Sequence, residues 1–383
     1  MKVGIALRSR FHAYELAREL AKKDVLLKLY SGLPYFKAAQ SGVPKDKYKS
    51  IILPEIIARV GRKMPFNISS TLNLNLRMDM FFDDWVSRIL PEDLDVFLGW
   101  SGCCLRSIEV AKRQGAVAVL ERGSSHIEVQ MELLCDEYER WGIPFLGYTH
   151  RVVERELQGY ETADYIAVPS DFSYNSFVQK GIPEEKLLLA PYGVSMNDFH
   201  IKQNKESKVF RLIYCGALSV QKGVLYLLKA FNELALPNAE LWLIGKEEPS
   251  LQDLFAPFKE SPQIRFMGHQ PQNELINFYN QCHLFVFPSI QDGFGMVLLQ
   301  AMACGLPVIH TTNTGGSNVI DEGKEGFKVP IRNIEALQEK ILWCYENQEA
   351  TRQMGQNALT RVQGRHSWAD YAENVLNNYS KII

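Results

Sequence analysis

Short apolar runs alternate with helically spaced segments along almost the whole chain, and this rhythm limits the fold more than any other feature. KVGIAL (2–7) reads as a strand buried on both faces. AYELARELAKK (13–23) follows with Leu16, Leu20 and Ala21 at helical spacing, and VLLKLYS (25–31) is the next strand. Further strands are expected at 95–100, 116–122, 165–170 and 187–193. Helices fit between them, such as CLRSIEVAKRQG (104–115), closed by Gly115. A β-α-β-α order of this kind folds as a parallel sheet with helices on both faces.

The rhythm is interrupted once. HIKQNKESK (200–208) is polar and aperiodic, and reads as a linker. Strands then resume at 210–216, 240–246, 263–268, 284–289 and 307–312. Helices are expected at 223–234, 272–281, 296–304, 333–347 and 349–362. The tail, 367–382, is a helix with an apolar face that needs a surface to cover it. A length of 383 residues suits two cores rather than one. The expected fold is therefore α/β, with two doubly wound Rossmann-like units facing a central cleft. The first spans 1–199, the second 209–365, and 366–383 forms a C-terminal helix packing back on the first. Ligands of open parallel sheets bind beyond the carboxyl ends of the strands, so both units would offer sites to the cleft.

Charge excludes some partners. The net charge of −2 argues against a dedicated nucleic-acid binder. The balance is uneven, however: residues 1–120 hold 19 Lys/Arg against 12 Asp/Glu, and the remainder holds 23 against 32. A basic first half suits an anionic acceptor or peripheral contact with lipid headgroups, although an uneven solvated surface explains it equally well. IIARVGRKMPFNI (56–68), basic and apolar together, is read as a solvated helix or loop with a possible membrane role. Seven cysteines without a CxxC pair fit neither a disulfide framework nor a zinc ribbon. Met1 runs straight into the first strand, and no apolar run approaches the ~18 residues of a membrane span. A cytoplasmic protein, peripheral at most at the inner membrane face, is expected.

The chemistry is concentrated in LFVFPSIQDGFGMVLLQAMACGLPVI (284–309). A buried strand ends at Pro288 and Ser289, a loop carries Asp292, Gly293, Phe294 and Gly295, and a helix begins at Met296. Glycines on either side of Phe294 let backbone approach a ligand closely. The helix start at Met296 and Val297 offers free N–H groups and the positive end of its dipole, a combination suited to a diphosphate. Asp292 and Gln300 are eight residues apart, about two helical turns, and suit hydroxyls of a sugar and a ribose along one ligand.

This segment resembles the signature of the retaining glycosyltransferases of family 4, the group 1 glycosyl transferases of GT-B fold. Their pattern has Glu, Gly-Phe-Gly, a second Glu eight residues on, and Ala-Met-Ala-x-Gly-x-Pro-Val. ADYIAVPSDFSYNSFVQKGIPEEKLLLAPYGV (163–194), CGALSVQKGVLYLLKAF (215–231), FMGHQPQNELINFYNQCHLFVFPS (266–289) and NTGGSNVIDEGKEGFKVP (313–330) are similar to the family in the same order. The resemblance implies a retaining hexosyltransferase that uses a nucleotide-diphosphate sugar and a glycan or lipid-linked acceptor in polysaccharide biosynthesis. It implies no cofactor beyond that donor and no obligatory metal. It places Asp292, Lys222 and His126 in the reaction, and Gly216, Gly293, Phe294, Gly295, Met296, Val297 and Gln300 around the donor. Lys246, His269, Gln270 and Leu275 would surround the base.

Three positions depart from the family pattern. Asp292 and Gln300 stand where the family has Glu. The family's Gly-Arg-Leu reads Gly216-Ala217-Leu218, so the Arg that partners Lys222 on the diphosphate is missing. Arg122 and Arg151 are candidate replacements. These departures keep open a non-catalytic nucleotide-sugar-binding subunit, or another GT-B activity such as an epimerase. His126 has a second reading, as the first residue of a helix capped by Ser125-x-x-Glu128. RSRFHAYE (8–15) lacks the paired glycines usual in the family, and Phe11 and His12 would narrow this loop, or simply start a helix. Trp85, Trp100, Phe81 and Phe82 are read as core.

Overall fold

The structure, a computed structural model, describes residues 1–63, 68–202 and 208–383. The expected linker at 200–208 falls mostly on 203–207, outside the described residues, as does part of the basic apolar stretch at 56–68.

The first half runs β1 (Val3–Leu7), α1 (Ala13–Lys22), β2 (Leu26–Ser31), α2 (Tyr35–Gln40), β3 (Tyr48–Ser50), α3 (Leu53–Lys63) and α4 (Ile68–Ser87). It continues through β4 (Val96–Trp100), α5 (Leu105–Arg113), β5 (Val117–Glu121), α6 (Ile127–Arg140), α7 (His150–Thr162), β6 (Tyr165–Val168), α8 (Asp171–Gln179) and β7 (Leu187–Leu189). The second runs β8 (Phe210–Cys215), α9 (Val224–Leu234), β9 (Ala239–Ile244), α10 (Gln252–Lys259), β10 (Ile264–Gly268), α11 (Leu275–Tyr279) and β11 (Leu284–Phe287). After these come α12 (Met296–Ala303), β12 (Val308–Thr311), β13 (Gly326–Val329), α13 (Ile334–Glu346), α14 (Gln348–Arg365) and α15 (Trp368–Ile382).

Two parallel sheets result, with strand orders β3-β2-β1-β4-β5-β6-β7 and β10-β9-β8-β11-β12-β13. The central strands are buried along their whole length, which is why each appears in the sequence as an unbroken apolar run. Strand order reverses between β1 and β4 and again between β8 and β11, opening a crevice at the carboxyl ends of each pair. These crevices place the site.

α15 leaves the second half and lies against α1 of the first. Ser367 and Asp370 form a capping box at its start, and Trp368, Tyr371, Val375 and Tyr379 are buried on its inner face. Phe82 and Trp100 are core as expected, and Trp85 is partly buried, but Phe81 is exposed. With Met80, and with Ile52, Leu53, Ile56 and Val60 in and beside α3, Phe81 belongs to a set of exposed apolar side chains on the first half. No helix of the described residues is long and apolar enough to cross a membrane. All seven cysteines are free thiols.

Candidate active site

The loops after β8 and β11 meet at the second switch point. Gly216 donates its N–H to Ile244 O at 2.9 Å, which fixes the loop's departure from β8. The loop ends at Gly223, in the left-handed region at φ 63°, where α9 begins. A Cβ at Gly223 would stand 2.1 Å from the Pro288 carbonyl oxygen. Only glycine allows that approach, and it sets the neighbouring Lys222 beside the 288–295 loop.

That second loop is tied at most of its polar atoms. Gln221 donates its side-chain amide to Gln291, Asp292 N–H reaches Asn313 O at 3.0 Å, and Asp292 Oδ1 accepts from Phe294 N–H at 3.1 Å. Gly295, at φ 84°, turns the chain into α12, whose first residues Met296 and Val297 are half-buried. Lys222 Nζ lies 2.6 Å from Asp292 Oδ2, with both side chains about one-fifth exposed (19% and 20%). An ammonium, a carboxylate and the positive end of a helix thus meet at one point.

Gln300, further along α12, is buried and its Oε1 accepts from Tyr279 Oη at 3.4 Å. Burial pushes the Tyr279 hydroxyl far up, so it stays a proton donor, and the amide nitrogen of Gln300 is left to donate. At the carboxyl ends of β9 and β10, Lys246 and His269 are exposed, Gln270 Nε2 bonds Met267 O at 2.7 Å, and Leu275 is buried.

The two halves touch across the crevice. Gln291 Nε2 reaches Ser124 Oγ at 2.7 Å and Ser125 Oγ at 3.0 Å. Ser170 and Ser173 donate to the Gly293 carbonyl, and a Cβ on Gly293 would lie 2.1 Å from Gly123 O. Phe294 is buried against Tyr192, at 5.2 Å between rings. Gly293 and Phe294 therefore serve the contact between halves. Beside it lies a cleft of about 300 Å³, lined by Gln272, Met296 and Gln300 from one side. Arg10, Phe11 and His12 face them from the loop after β1, with Trp368 behind.

His126 stands apart. Its ring is buried against Tyr160 and Phe177, and its Nδ1 accepts from Glu128 N–H at 3.3 Å. The helix cap is thus His126 itself and not the expected Ser125, whose hydroxyl is taken by Gln291. Burial, then the neighbouring Arg122 and Lys180, push its pKa down to about 4, so the ring is neutral. The histidine that lines the cleft is His12. It is buried, its ring 3.8 Å from that of Tyr192, with Nε2 3.3 Å from Glu121 Oε1. Neither Arg122 nor Arg151 lines the cleft. Arg122 is half-buried and bonded to Ser125 O, Gln130 and Glu156. The serines at 124, 170 and 173, and Arg10 on the opposite wall, went unrecognised in the sequence, and Ser125 was read there only as a helix cap. Only the loop RSRFHAYE hinted at Arg10.

Residues 195–361 match the family described as Glycosyl transferases group 1. Among curated proteins, the chain is 27% identical over 221 residues to the capsular polysaccharide biosynthesis glycosyltransferase CapM of Staphylococcus aureus, covering 53% of this chain and 58% of that protein. It is 23% identical over 247 residues to the O-antigen chain mannosyltransferase B of Escherichia coli, covering 60% of this chain and 64% of that protein. The chain thus spans less than two thirds of either relative. Among solved structures it resembles the sucrose-phosphate synthase of Thermosynechococcus elongatus, with TM-score 0.73, 18% identity, and coverage of 100% of this chain and 99% of that one. It also resembles HepE of Anabaena in complex with UDP, with TM-score 0.67, 16% identity and full coverage of both. At these identities the likeness establishes the fold, which is GT-B.

Proposed function

We propose, from the premise that residues 195–361 are a glycosyl transferases group 1 domain within a GT-B fold, that this protein transfers a hexose from a nucleotide-diphosphate sugar to an acceptor hydroxyl with retention at the anomeric carbon. The observation that carries the reading is the meeting of Lys222, Asp292 and the start of α12 at the switch point of the second sheet. The diphosphate lies on the N–H groups of Met296 and Val297 and against Lys222. Asp292 takes hydroxyls of the donor sugar and Gln300 those of the ribose, with the base toward Lys246, His269, Gln270 and Leu275. The anomeric C–O bond breaks with its electron pair leaving on the diphosphate. The acceptor oxygen bonds the anomeric carbon from the same face, and its proton passes to the departing phosphate oxygen. The protein contributes position and charge stabilisation, and contact between the halves limits water. The exposed apolar side chains of α3 and α4, within the stretch 1–120 that carries the basic excess, support a glycan or lipid-linked acceptor offered at a membrane surface.

The test has two parts. Calorimetric titration with UDP, GDP, ADP and dTDP and their sugars identifies the donor. Turnover with that donor and a lipid-linked or glycan acceptor is then followed by the anomeric configuration of the product. Retention is expected, Lys222→Ala lowers kcat/KM by about 10²–10³, and anionic liposomes bind the protein less as salt rises. Binding of none of these nucleotides removes the reading. An inverted product removes the mechanism alone, and salt-independent liposome behaviour removes the membrane-presented acceptor.

A further inference from the structure

We infer that Arg10, reaching from the first half, supplies the second cation to the donor diphosphate in place of the guanidinium that Ala217 cannot provide. This rests on the nucleotide-sugar reading above and deepens it.

A charge inventory leads there. A diphosphate brings at least two negative charges, and its leaving group gains more as the glycosidic bond breaks. The second half answers with the helix start, worth roughly half a charge, and with Lys222, whose ammonium already faces the Asp292 carboxylate at 2.6 Å. Ala217 is exposed at the loop after β8 and adds nothing. The second half alone therefore leaves the leaving group short of positive charge.

Nearby arginines are otherwise committed. Arg8 is buried between Glu55 and Asp79, at 2.8 and 2.5 Å. Arg122 is held by Glu156, Gln130 and Ser125 O. Arg18, also on the cleft wall, pairs with Glu19 at 2.7 Å. Arg10 differs: it is exposed, and among the described residues its guanidinium meets one hydroxyl, Ser41 Oγ at 3.4 Å, and no carboxylate. Glu15 and Asp198 line the same cleft without pairing with it. Arg10 follows β1, at the switch point of the first sheet, and shares the cleft with Met296, the first residue of α12. A guanidinium presents a planar fork that matches two phosphate oxygens. Because it sits on the opposite half, the second cation is in place only when the halves are together, which ties charge stabilisation to closure.

The experiment uses whichever of UDP, GDP, ADP or dTDP binds the wild-type chain. Arg10→Ala is expected to weaken that diphosphate tenfold or more, to leave the corresponding nucleoside within twofold, and to flatten the salt dependence of diphosphate binding. Adding Ala217→Arg to Arg10→Ala is expected to recover most of the lost affinity. Arg10→Gln serves the same purpose if the alanine variant does not fold. Wild-type binding by the Arg10 variants overturns the inference. So do equal losses for nucleoside and diphosphate, which would mark a structural role, and a double variant with no recovery. In each of these cases the wild type still binds, and the nucleotide-sugar reading stands. A wild type that binds no diphosphate removes both.

Discussion

His126 illustrates how a single side chain is decided by its surroundings. A histidine after a strand end, followed by Glu128 two positions on, is open in sequence to a cleft role or a helix start. The choice is made by Tyr160 and Phe177, from α7 and α8, which close over the ring. The cap uses Nδ1 as an acceptor, so protonating the ring both buries a charge and breaks a hydrogen bond. The folded pKa is depressed to about 4, below the unfolded value near 6.5. This contribution is therefore complete above about pH 6.5 and is lost as pH falls toward 4, by roughly 3 kcal/mol at most. His310, also buried and near 4, acts in the same direction. Asparagine keeps a capping oxygen but does not titrate. His126→Asn is accordingly expected to flatten the fall in urea midpoint between pH 6.5 and 4 relative to wild type. Identical pH slopes would show that the ring takes a proton freely in the fold.

Elements were legible to the extent that they were continuous and locally determined. The buried central strands β1, β4, β8 and β11 stand out because both their faces are apolar. β3, only Tyr48–Ser50 at one sheet edge, and β13, with the exposed Lys328, were not read as strands because short edge segments carry little apolar signal. The helix expected over 272–281 divides into a 3-10 turn at Gln272–Glu274 and the short α11. α15 was visible as a helix from its apolar spacing. One contact of its docked position, the exposed ion pair of Lys23 Nζ with Glu373 Oε2 at 2.7 Å, joins residues 350 apart. No local pattern carries that information. The docking has consequences for the cleft, since Trp368 lines it and its ring lies parallel to that of His12 at 6.4 Å. Trp368→Ala is expected to cost about 3–5 kcal/mol of stability and to weaken donor binding by loosening the β1–α1 loop. Chemical denaturation with a parallel nucleotide titration checks both. A stable variant with unchanged unfolding would mean that α15 merely covers the surface.

At the scale of the whole molecule, the question is what makes two sheets behave as one body around a cleft. The second half was readable because its loops hold glycines, a lysine and an acid at fixed spacing. The interface was not, because Ser124, Ser170 and Gln291 have no pattern that predicts their meeting. A second contact lies outside the cleft lining. Glu137 on α6 is fully buried, pairing with Arg332 Nε at 2.5 Å and accepting from Tyr226 Oη and Trp141 Nε1, each at 2.8 Å. Arg332 and Tyr226 belong to the second half, so this carboxylate holds partners from both. Removing one member of a buried ionic cluster strands the others, at about 3–5 kcal/mol. That cost falls on the joined state, because separated halves can hydrate Arg332 and Tyr226. Glu137→Ala is therefore expected to turn a single calorimetric unfolding transition into two, and to raise KM for the donor, since loosened halves align Arg10 with α12 less often. A variant that still unfolds in one transition at the wild-type temperature would place the coupling elsewhere, in the serine contacts around Gly293. The two halves would then be held together by the candidate site itself and not by the Glu137 cluster.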